Sequence, residues 1–282
     1  MRPPSPSSGL AYAPNISWLL PELPAGERPR ALAEAGFRGI EFGFPSSIDL
    51  ESVEEARQEY GLEVVLFNQD VPVWDRWNRG YLSDPQRRDE FRRRLDEALA
   101  LASRLEAKKV MLPAGVEMPD VHRQSQHEFV VENLRYAAPL AAQANVMLTV
   151  EVINSIDHPG YFLDTLDEAV GVVRDVDHPN LRLQLDTYHL RMLGKDLPQA
   201  FQQHAPWVGH IQFGDFPKRC QPGTGNIDFP AVLQSIKAAG YRDYIGLEFI
   251  PKDEGLQALA WVPDEMRARR VDPTGAHTKD RR

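Results

Sequence analysis

The chain carries the β-rich apolar run Val146-Met147-Leu148-Thr149-Val150-Glu151-Val152 and, further on, the similar run Leu181-Arg182-Leu183-Gln184-Leu185-Asp186. Between the two runs, apolar residues recur at the spacing of a helix, at Leu166, Ala169, Val170 and Val173. Thr165, followed at the third position by Glu168, predicts a capping box at the start of that helix. Two strands with a helix between them form a β-α-β unit, and its strands are parallel.

The same alternation of short apolar runs and helical patterns continues along the chain. It predicts eight strands, at residues 11–18, 38–44, 62–68, 108–114, 146–152, 181–186, 207–213 and 243–249. Eight parallel strands close a barrel of typically about 250 residues, so the sequence predicts an α/β fold with a single (β/α)8 TIM barrel. A doubly wound open sheet is the alternative, because the number of strands does not establish closure. The phosphate-binding motifs GxGxxG and GxxxxGK do not occur in the sequence.

Two further helices can be predicted from individual residues. One has an apolar stripe in an Arg- and Glu-rich stretch, formed by Phe91, Leu95, Leu99 and Ala102. The other is capped by Asp228 and stops at Gly240, before the last predicted strand. Both helices are expected on the outside of the barrel.

Composition and charge exclude several classes of protein. The 282 residues include 32 basic and 41 acidic side chains, for a net charge of −9, which argues against nucleic acid or an anionic membrane as the main partner. The chain lacks an apolar run of about 18 residues, so no membrane-spanning helix is expected. The N-terminus is too proline-rich for a secretory signal, and the single cysteine, Cys220, fits a reducing compartment. These features favour a cytoplasmic location and leave a homo-oligomer open.

The sequence predicts one catalytic domain at residues 11–266. Residues 1–10 are expected to form a flexible N-terminal tail, because Pro and Ser dominate them. Residues 267–282 contain many basic and almost no apolar side chains, which predicts a flexible basic C-terminal tail without a function of its own.

Polar residues end four successive predicted strands, at Glu151, Asp186, Gln212 and Glu248. In a TIM barrel the carboxyl ends of the strands converge on one mouth, where the active site lies. Three converging carboxylates repel one another unless a cation neutralises them, and a hard divalent ion binds carboxylate and amide oxygens readily. This pattern predicts a site for one divalent ion, Mg²⁺ or Mn²⁺ rather than Zn²⁺. The alternative is four ordinary strand-end residues that cap helices or pair with lysines.

The sequence also resembles the hydroxypyruvate isomerases, which belong to the xylose isomerase-like TIM barrels. The resemblance extends from about residue 11 to residue 262, and its most specific parts are the run from Glu151 to Phe162 and the turn Pro222-Gly223-Thr224-Gly225. Other matching stretches are Asn15-Ile16-Ser17, Gly39-Ile40-Glu41-Phe42, Phe67-Asn68, Gln184-Leu185-Asp186-Thr187-Tyr188-His189, His210-Ile211-Gln212 and Gly246-Leu247-Glu248-Phe249.

The resemblance implies that Glu151, Asp186, Gln212 and Glu248 ligate the metal ion, and that Glu151 and Glu248 are the catalytic acid/base pair. The implied reaction is an aldose-ketose isomerisation of a small hydroxy-oxo acid, hydroxypyruvate to tartronate semialdehyde (2-hydroxy-3-oxopropanoate), through an enediolate. No nucleotide cofactor is needed for this reaction.

Five further residues are predicted to bind substrate. His189 follows Asp186 by three residues, and Arg219 lies on the loop after the seventh strand, where a guanidinium could clamp a substrate carboxylate. Asn68 ends the third strand, and Glu41, in the second, could contact substrate or support the residues that do. Asp157 follows Glu151 on the same loop and could instead hold that loop's turn.

Several alternatives remain open at this point. The chain could be a 2-oxo-tetronate isomerase or a ketose 3-epimerase on the same barrel, or a sugar-acid-binding barrel without catalysis. A metal-dependent nuclease is disfavoured, because such sites typically need several histidines and a basic surface. Two departures from the family pattern bear on the substrate: the bulky loop at residues 73–81, which contains Trp74 and Trp77, and Asn226, where a glutamate is usual. The tryptophans could form a wall over the barrel mouth, and Cys220 is expected to be an inert thiol.

Overall fold

A computed structural model describes residues 9–268 and contains eight parallel strands in one sheet. The strands are β1 (Ala11–Pro14), β2 (Gly39–Phe42), β3 (Glu63–Asn68), β4 (Lys109–Met111), β5 (Met147–Glu151), β6 (Leu181–Asp186), β7 (Val208–Phe213) and β8 (Tyr244–Leu247). Each strand lies within a segment predicted from the sequence. Several are shorter than predicted, because the ends of those segments lie in loops.

Eight α-helices lie between the strands: α1 (Arg28–Glu34), α2 (Leu50–Tyr60), α3 (Arg88–Leu105), α4 (Arg123–Gln143), α5 (Leu166–Val176), α6 (Thr187–Met192), α7 (Leu197–His204) and α8 (Phe229–Ala238). Two of them, α6 and α7, fall between β6 and β7. After β8 the described residues form only short 3₁₀ turns, at Gly255–Leu259 and Asp264–Met266. The final outer helix of an ideal barrel is therefore replaced by these turns in the described part of the chain.

The sheet closes into a barrel between its first and second strands. The pairing order runs β1-β8-β7-β6-β5-β4-β3-β2, and a parallel bridge between Asn15 and Glu41 links the two ends. The Ile16 amide donates to the Glu41 carbonyl oxygen at 2.9 Å. This closure confirms the TIM barrel and excludes the open-sheet alternative.

The outer helices pack through the apolar stripes that the sequence indicates. Phe91, Leu95 and Ala102 of α3 are buried against the barrel. Thr165 caps α5 by accepting from the Glu168 amide, but the Glu168 carboxylate binds His127 instead of returning to the cap. The capping box is therefore only half formed, because a histidine of α4 competes for that carboxylate.

The folded part extends one residue beyond each end of the predicted domain. Leu10 is buried, and the guanidinium of Arg267 donates to the carbonyl oxygens of Ala35 and Val262. The remaining parts of the two predicted tails lie outside the described residues, except Gly9 and Ala268. Within residues 9–268, no helix is both long and apolar enough to cross a membrane.

Candidate active site

Four polar side chains converge at the carboxyl ends of β5 to β8. Glu151 and Asp186 are the last residues of β5 and β6, Gln212 lies in β7, and Glu248 directly follows β8. The register places Asp186 opposite Gln212, and the Gln212 amide donates to the Glu248 carboxylate at 2.7 Å. All four residues therefore lie where the sequence predicts them, although their roles stay predictions.

Arg219 neutralises two of these carboxylates. Its Nη2 atom lies 2.6 Å from Oδ2 of Asp186 and 2.7 Å from Oε1 of Glu248, and its Nε donates to the Glu248 carbonyl oxygen. The guanidinium is largely buried and lines the cavity above the site. Arg219 pairs with the protein's own carboxylates because converging anions need a counter-charge, and its contact with a substrate carboxylate stays a prediction.

The loop after β7 turns Arg219 inward. Lys218 and Arg219 both have left-handed backbone conformations, with φ of 69° and 54°, which non-glycine residues rarely adopt. Asp215 holds the following loop by accepting hydrogen bonds from the amides of Gly223 and Gly225. A side chain at Gly225 would lie 2.3 Å from the Phe216 carbonyl oxygen. This glycine therefore permits a close backbone approach beside the site.

Burial raises the pKa of each carboxyl group at the site. It is the main cause that raises the pKa of Glu151 well above its ordinary value, and repulsion from Glu248 and Asp186 adds to it. Burial also raises the pKa of Glu248, against the opposing effect of Arg219, and brings that of Asp186 to about 6. Carboxyl groups with raised pKa values are suited to both accepting and releasing a proton near neutral pH.

His189 lies in α6 beside Arg219 and Asn154. The Nη1 atom of the Arg219 guanidinium lies 3.2 Å from Nε2 of the imidazole. Burial, together with the positive charge of Arg219, lowers the pKa of His189 well below its usual value. The ring is therefore uncharged, and Nδ1 lies 2.7 Å from the Asn154 amide.

The other three predicted substrate residues lie in different places. Asn68 ends β3 and lines the cavity, as expected. Asp157 is exposed and accepts from the Tyr188 hydroxyl at 2.6 Å, so in this structure it holds its own loop. Glu41 is fully buried inside the barrel, below the cavity, where it accepts from Gln212 and bonds His210. Glu41 is not among the residues that line the cavity, and its predicted contact with substrate stays a prediction.

The cavity above the carboxylates has a volume of about 290 Å³ and one strongly aromatic wall. Trp18, Phe44 and Trp74 form that wall, and Trp74 packs edge-on to His158. Trp77 is 70% exposed and is not among the residues that line the cavity. The prediction of a tryptophan wall therefore holds for Trp74 alone.

Two further residues lie at the site and are not among those predicted from the sequence. His158 lines the cavity, and burial and the nearby arginines lower its pKa to about 4. Asn15 donates to Oε2 of Glu248 at 3.0 Å. Both follow the carboxyl end of a strand, at β5 and β1, and this position in a TIM barrel is the signal that could have identified them.

The buried side chains fit a divalent cation. One ligand atom from each of Glu151, Asp186 and His189 lies within 4.8 Å of the others, and Oε1 of Glu151 has no hydrogen-bond partner among residues 9–268. Carboxylate oxygens are the ligands that hard divalent ions prefer. The predicted ligand Gln212 directs its amide nitrogen, not its oxygen, at Glu248, so ligation by its oxygen would require the amide to rotate.

The fold agrees with the proteins to which this chain is similar. Hydroxypyruvate isomerase of Escherichia coli K12 is 32% identical over 90% of this chain and 98% of its own length. A 2-oxo-tetronate isomerase of Cupriavidus necator is 30% identical over 89% of this chain and 96% of its own. A solved Brucella melitensis structure, described as an AP endonuclease of family 2, has a TM-score of 0.84 and 33% identity over 89% of this chain and 97% of its own. Residues 29–268 match the family description, so the chain belongs to the xylose isomerase-like TIM barrels.

Proposed function

We propose that this chain is a metal-dependent isomerase that interconverts hydroxypyruvate and tartronate semialdehyde. That the chain is an isomerase of the keto-aldo type follows from its family and its isomerase relatives. The observation that supports this particular reaction is the pair of carboxyl groups of Glu151 and Glu248, which line one cavity and have raised pKa values. Nothing in this reaction requires a nucleotide cofactor, because the substrate oxidises one of its own carbons while it reduces the next.

The proposed chemistry is a proton transfer between adjacent carbons. One carboxylate of the pair removes a proton from C3 of hydroxypyruvate, and the electrons form an enediolate across C2 and C3. A proton returns to C2, the C3 hydroxyl gives up its proton to become the aldehyde of the product, and the C2 oxygen takes up a proton to become its hydroxyl. A carboxyl group can perform both steps, because its raised pKa lies closer to the pH of the medium than the pKa of an ordinary carboxyl group does.

The remaining residues of the site would bind and orient the substrate. Arg219 offers a positive charge to the substrate carboxylate, and His189 and Asn68 offer polar groups at the cavity wall. Glu151, Asp186 and Glu248 would hold one divalent ion, Mg²⁺ or Mn²⁺, and Gln212, the fourth predicted ligand, would join them only after its amide rotates. That ion would supply positive charge where the enediolate oxygens become negative. A homo-oligomer and a cytoplasmic location stay predictions.

A 2-oxo-tetronate is the second candidate substrate. A relative with that activity in its name is nearly as similar as the hydroxypyruvate isomerase. The aromatic wall also gives the cavity apolar surface that a three-carbon acid would leave partly uncovered. Ketose 3-epimerisation has weaker support, because the 3-epimerase structures from Clostridium cellulolyticum and Methylomonas share only the fold with this chain.

Proton exchange followed by NMR tests the proposal. Metal-stripped protein is mixed with hydroxypyruvate in D₂O, and Mg²⁺ or Mn²⁺ is then restored. We expect deuterium incorporation and an aldehyde product only with the ion, and neither with Glu151→Gln or Glu248→Gln. The surface variant Glu97→Gln is the matched control and should behave like the parent protein. If exchange occurs with a 2-oxo-tetronate or a ketose but not with hydroxypyruvate, that compound becomes the proposed substrate. If exchange occurs with none of them, a binding barrel without catalysis is favoured.

A further inference from the structure

A chain of buried polar groups crosses the barrel interior and ends at Glu248. Nζ of Lys109 lies 3.2 Å from Nδ1 of His210, and Nε2 of His210 lies 2.8 Å from Oε2 of Glu41. Oε1 of Glu41 accepts from Nε2 of Gln212 at 2.7 Å, and the same nitrogen donates to Oε2 of Glu248 at 2.7 Å. His210 and Glu41 are fully buried.

The direction of each hydrogen bond in this chain follows from its members. The Lys109 ammonium can only donate, so Nδ1 of His210 accepts and the ring carries its proton on Nε2. That proton is donated to Glu41, and Glu41 therefore accepts from both His210 and Gln212. A carboxylate is the only acidic or amide side chain of this length that can accept at both ends.

The other end of the Gln212 amide is also held. Its oxygen accepts from Nε2 of Gln184 at 2.7 Å, and the Gln184 oxygen accepts from the Thr149 hydroxyl at 3.2 Å. These residues are buried as well. The orientation of the Gln212 amide is therefore fixed from both sides, by Glu41 and by Gln184.

A glycine makes room for the Glu41 carboxylate. A side chain on Gly246 of β8 would place its Cβ 2.2 Å from Oε1 of Glu41. Gly246 pairs in register with Gln212 of β7 and lies two residues before Glu248. The absence of a side chain at Gly246 thus leaves space for the Glu41 carboxylate below Glu248.

Folding alone does not account for this arrangement. Removing charged groups from water costs several kcal/mol for each ion, and well-packed apolar residues of similar size are often at least as stable. The barrel interior at this level nevertheless holds Lys109, His210 and Glu41, each buried. The series of hydrogen bonds ends at the Glu248 carboxylate beside the cavity, so these buried groups are placed to orient that carboxylate.

We propose that Glu41 is a positioning residue: held by His210 and Lys109, it sets the orientation of the Gln212 amide and, through it, that of the Glu248 carboxylate. The inference rests on the proposed function for the role of Glu248 in proton transfer. Its structural part, the orientation of the Gln212 amide, can be measured without any substrate.

The test uses Glu41→Gln, which keeps the size of the side chain and removes one of its two acceptors. The new amide must direct its NH₂ group at one of two N–H donors, so we expect the Gln212 side-chain NH₂ signal in ¹H–¹⁵N NMR to shift and to lose protection from exchange. That signal is assigned by its absence in Gln212→Leu. With the active substrate, we expect kcat to fall about 10- to 100-fold, the usual effect of losing a supporting hydrogen bond, with little change in KM.

Gly246→Ala is a second variant, which displaces the Glu41 carboxylate without removing it. It should shift the same NH₂ signal and lower kcat in the same direction. Glu63→Gln is the matched control, because Glu63 starts β3 at the opposite end of the barrel, where it accepts from the Tyr244 hydroxyl. We expect the control to leave the Gln212 signal and kcat unchanged.

Two results would overturn the inference. One is an unchanged Gln212 signal with parental kcat in Glu41→Gln. The other is a loss of thermal stability in that variant with unchanged kcat per folded molecule, as a purely structural role requires. If the parent protein acts on none of the substrates, the proposed function fails, and the NMR signal alone still decides whether Glu41 orients Gln212.

Discussion

Replacing Arg219 by methionine tests whether this guanidinium is the counter-charge of the carboxylates. Methionine keeps most of the apolar length of the side chain and removes the charge. In the parent protein the guanidinium lies 2.6 Å from Asp186 and 2.7 Å from Glu248. The side chain of Asp186 is fully buried and that of Glu248 is 15% exposed, so neither carboxylate can rely on water.

The magnitude follows from the burial of the three side chains. Breaking a buried ion pair by removing one partner typically costs about 3–5 kcal/mol, because an uncompensated charge stays behind. For a protein of this size, each kcal/mol lowers the melting temperature by about 2–4 °C, so a decrease of roughly 6–20 °C is expected at pH 8. The loss should be smaller at pH 5, where the carboxylates can take up protons and lose the repulsion.

The assay is thermal and urea unfolding followed by circular dichroism, with EDTA present. Arg30→Met is the matched control, because Arg30 forms an exposed pair with Glu34 that should contribute little to stability. Saturating Mg²⁺ or Mn²⁺ should restore part of the stability of Arg219→Met, because a bound ion would neutralise the same carboxylates. Equal losses in the two variants, or a loss at Arg219 that does not depend on pH, would refute this reasoning.

Three further predictions concern the site. Glu248→Gln should keep the fold and reduce turnover by about two orders of magnitude or more, and near-normal turnover would remove the role assigned to Glu248. Because its pKa is lowered to about 4, the His158 ring should stay uncharged in the folded protein well below pH 6.5, and an NMR titration of its ring protons checks this pKa. The stability that depends on the uncharged ring is fully present above pH 6.5 and is lost as the pH falls towards 4. Trp74→Ala should raise KM by roughly 10-fold with little effect on kcat, whereas the exposed Trp77→Ala should change neither in steady-state assays.

The main elements of the fold could be predicted because they depend on local patterns. Short apolar runs, helical stripes between them and capping residues such as Asp228 predict each strand and several helices near their observed positions. The four strand-end residues were found by the same means, since the topology of a parallel barrel brings such ends together. Closure of the sheet into a barrel was supported only by the total number of strands. The bridge between Asn15 and Glu41 could not be predicted from the spacing of residues along the sequence.

The contacts inside the site could not be predicted, because they join residues that are distant along the chain. Arg219 reaches Asp186 and Glu248 only because two consecutive left-handed residues turn it inward, and neither Lys218 nor Arg219 is a residue type that signals such a turn. Glu41 lies in the short apolar run of β2, where the sequence shows a polar residue but not how deep its side chain lies.

A more general signal links Glu41 to its partners. Glu41, Lys109 and His210 are each polar residues inside a predicted strand rather than at its end, and each is buried. A polar residue that a strand places in the barrel interior must find a partner there, because an unpaired buried charge costs several kcal/mol. Three such residues on three strands therefore imply mutual contact below the mouth. The strand-end carboxylates mark the proposed site of proton transfer, and the polar residues inside the strands form the network that we propose positions Glu248.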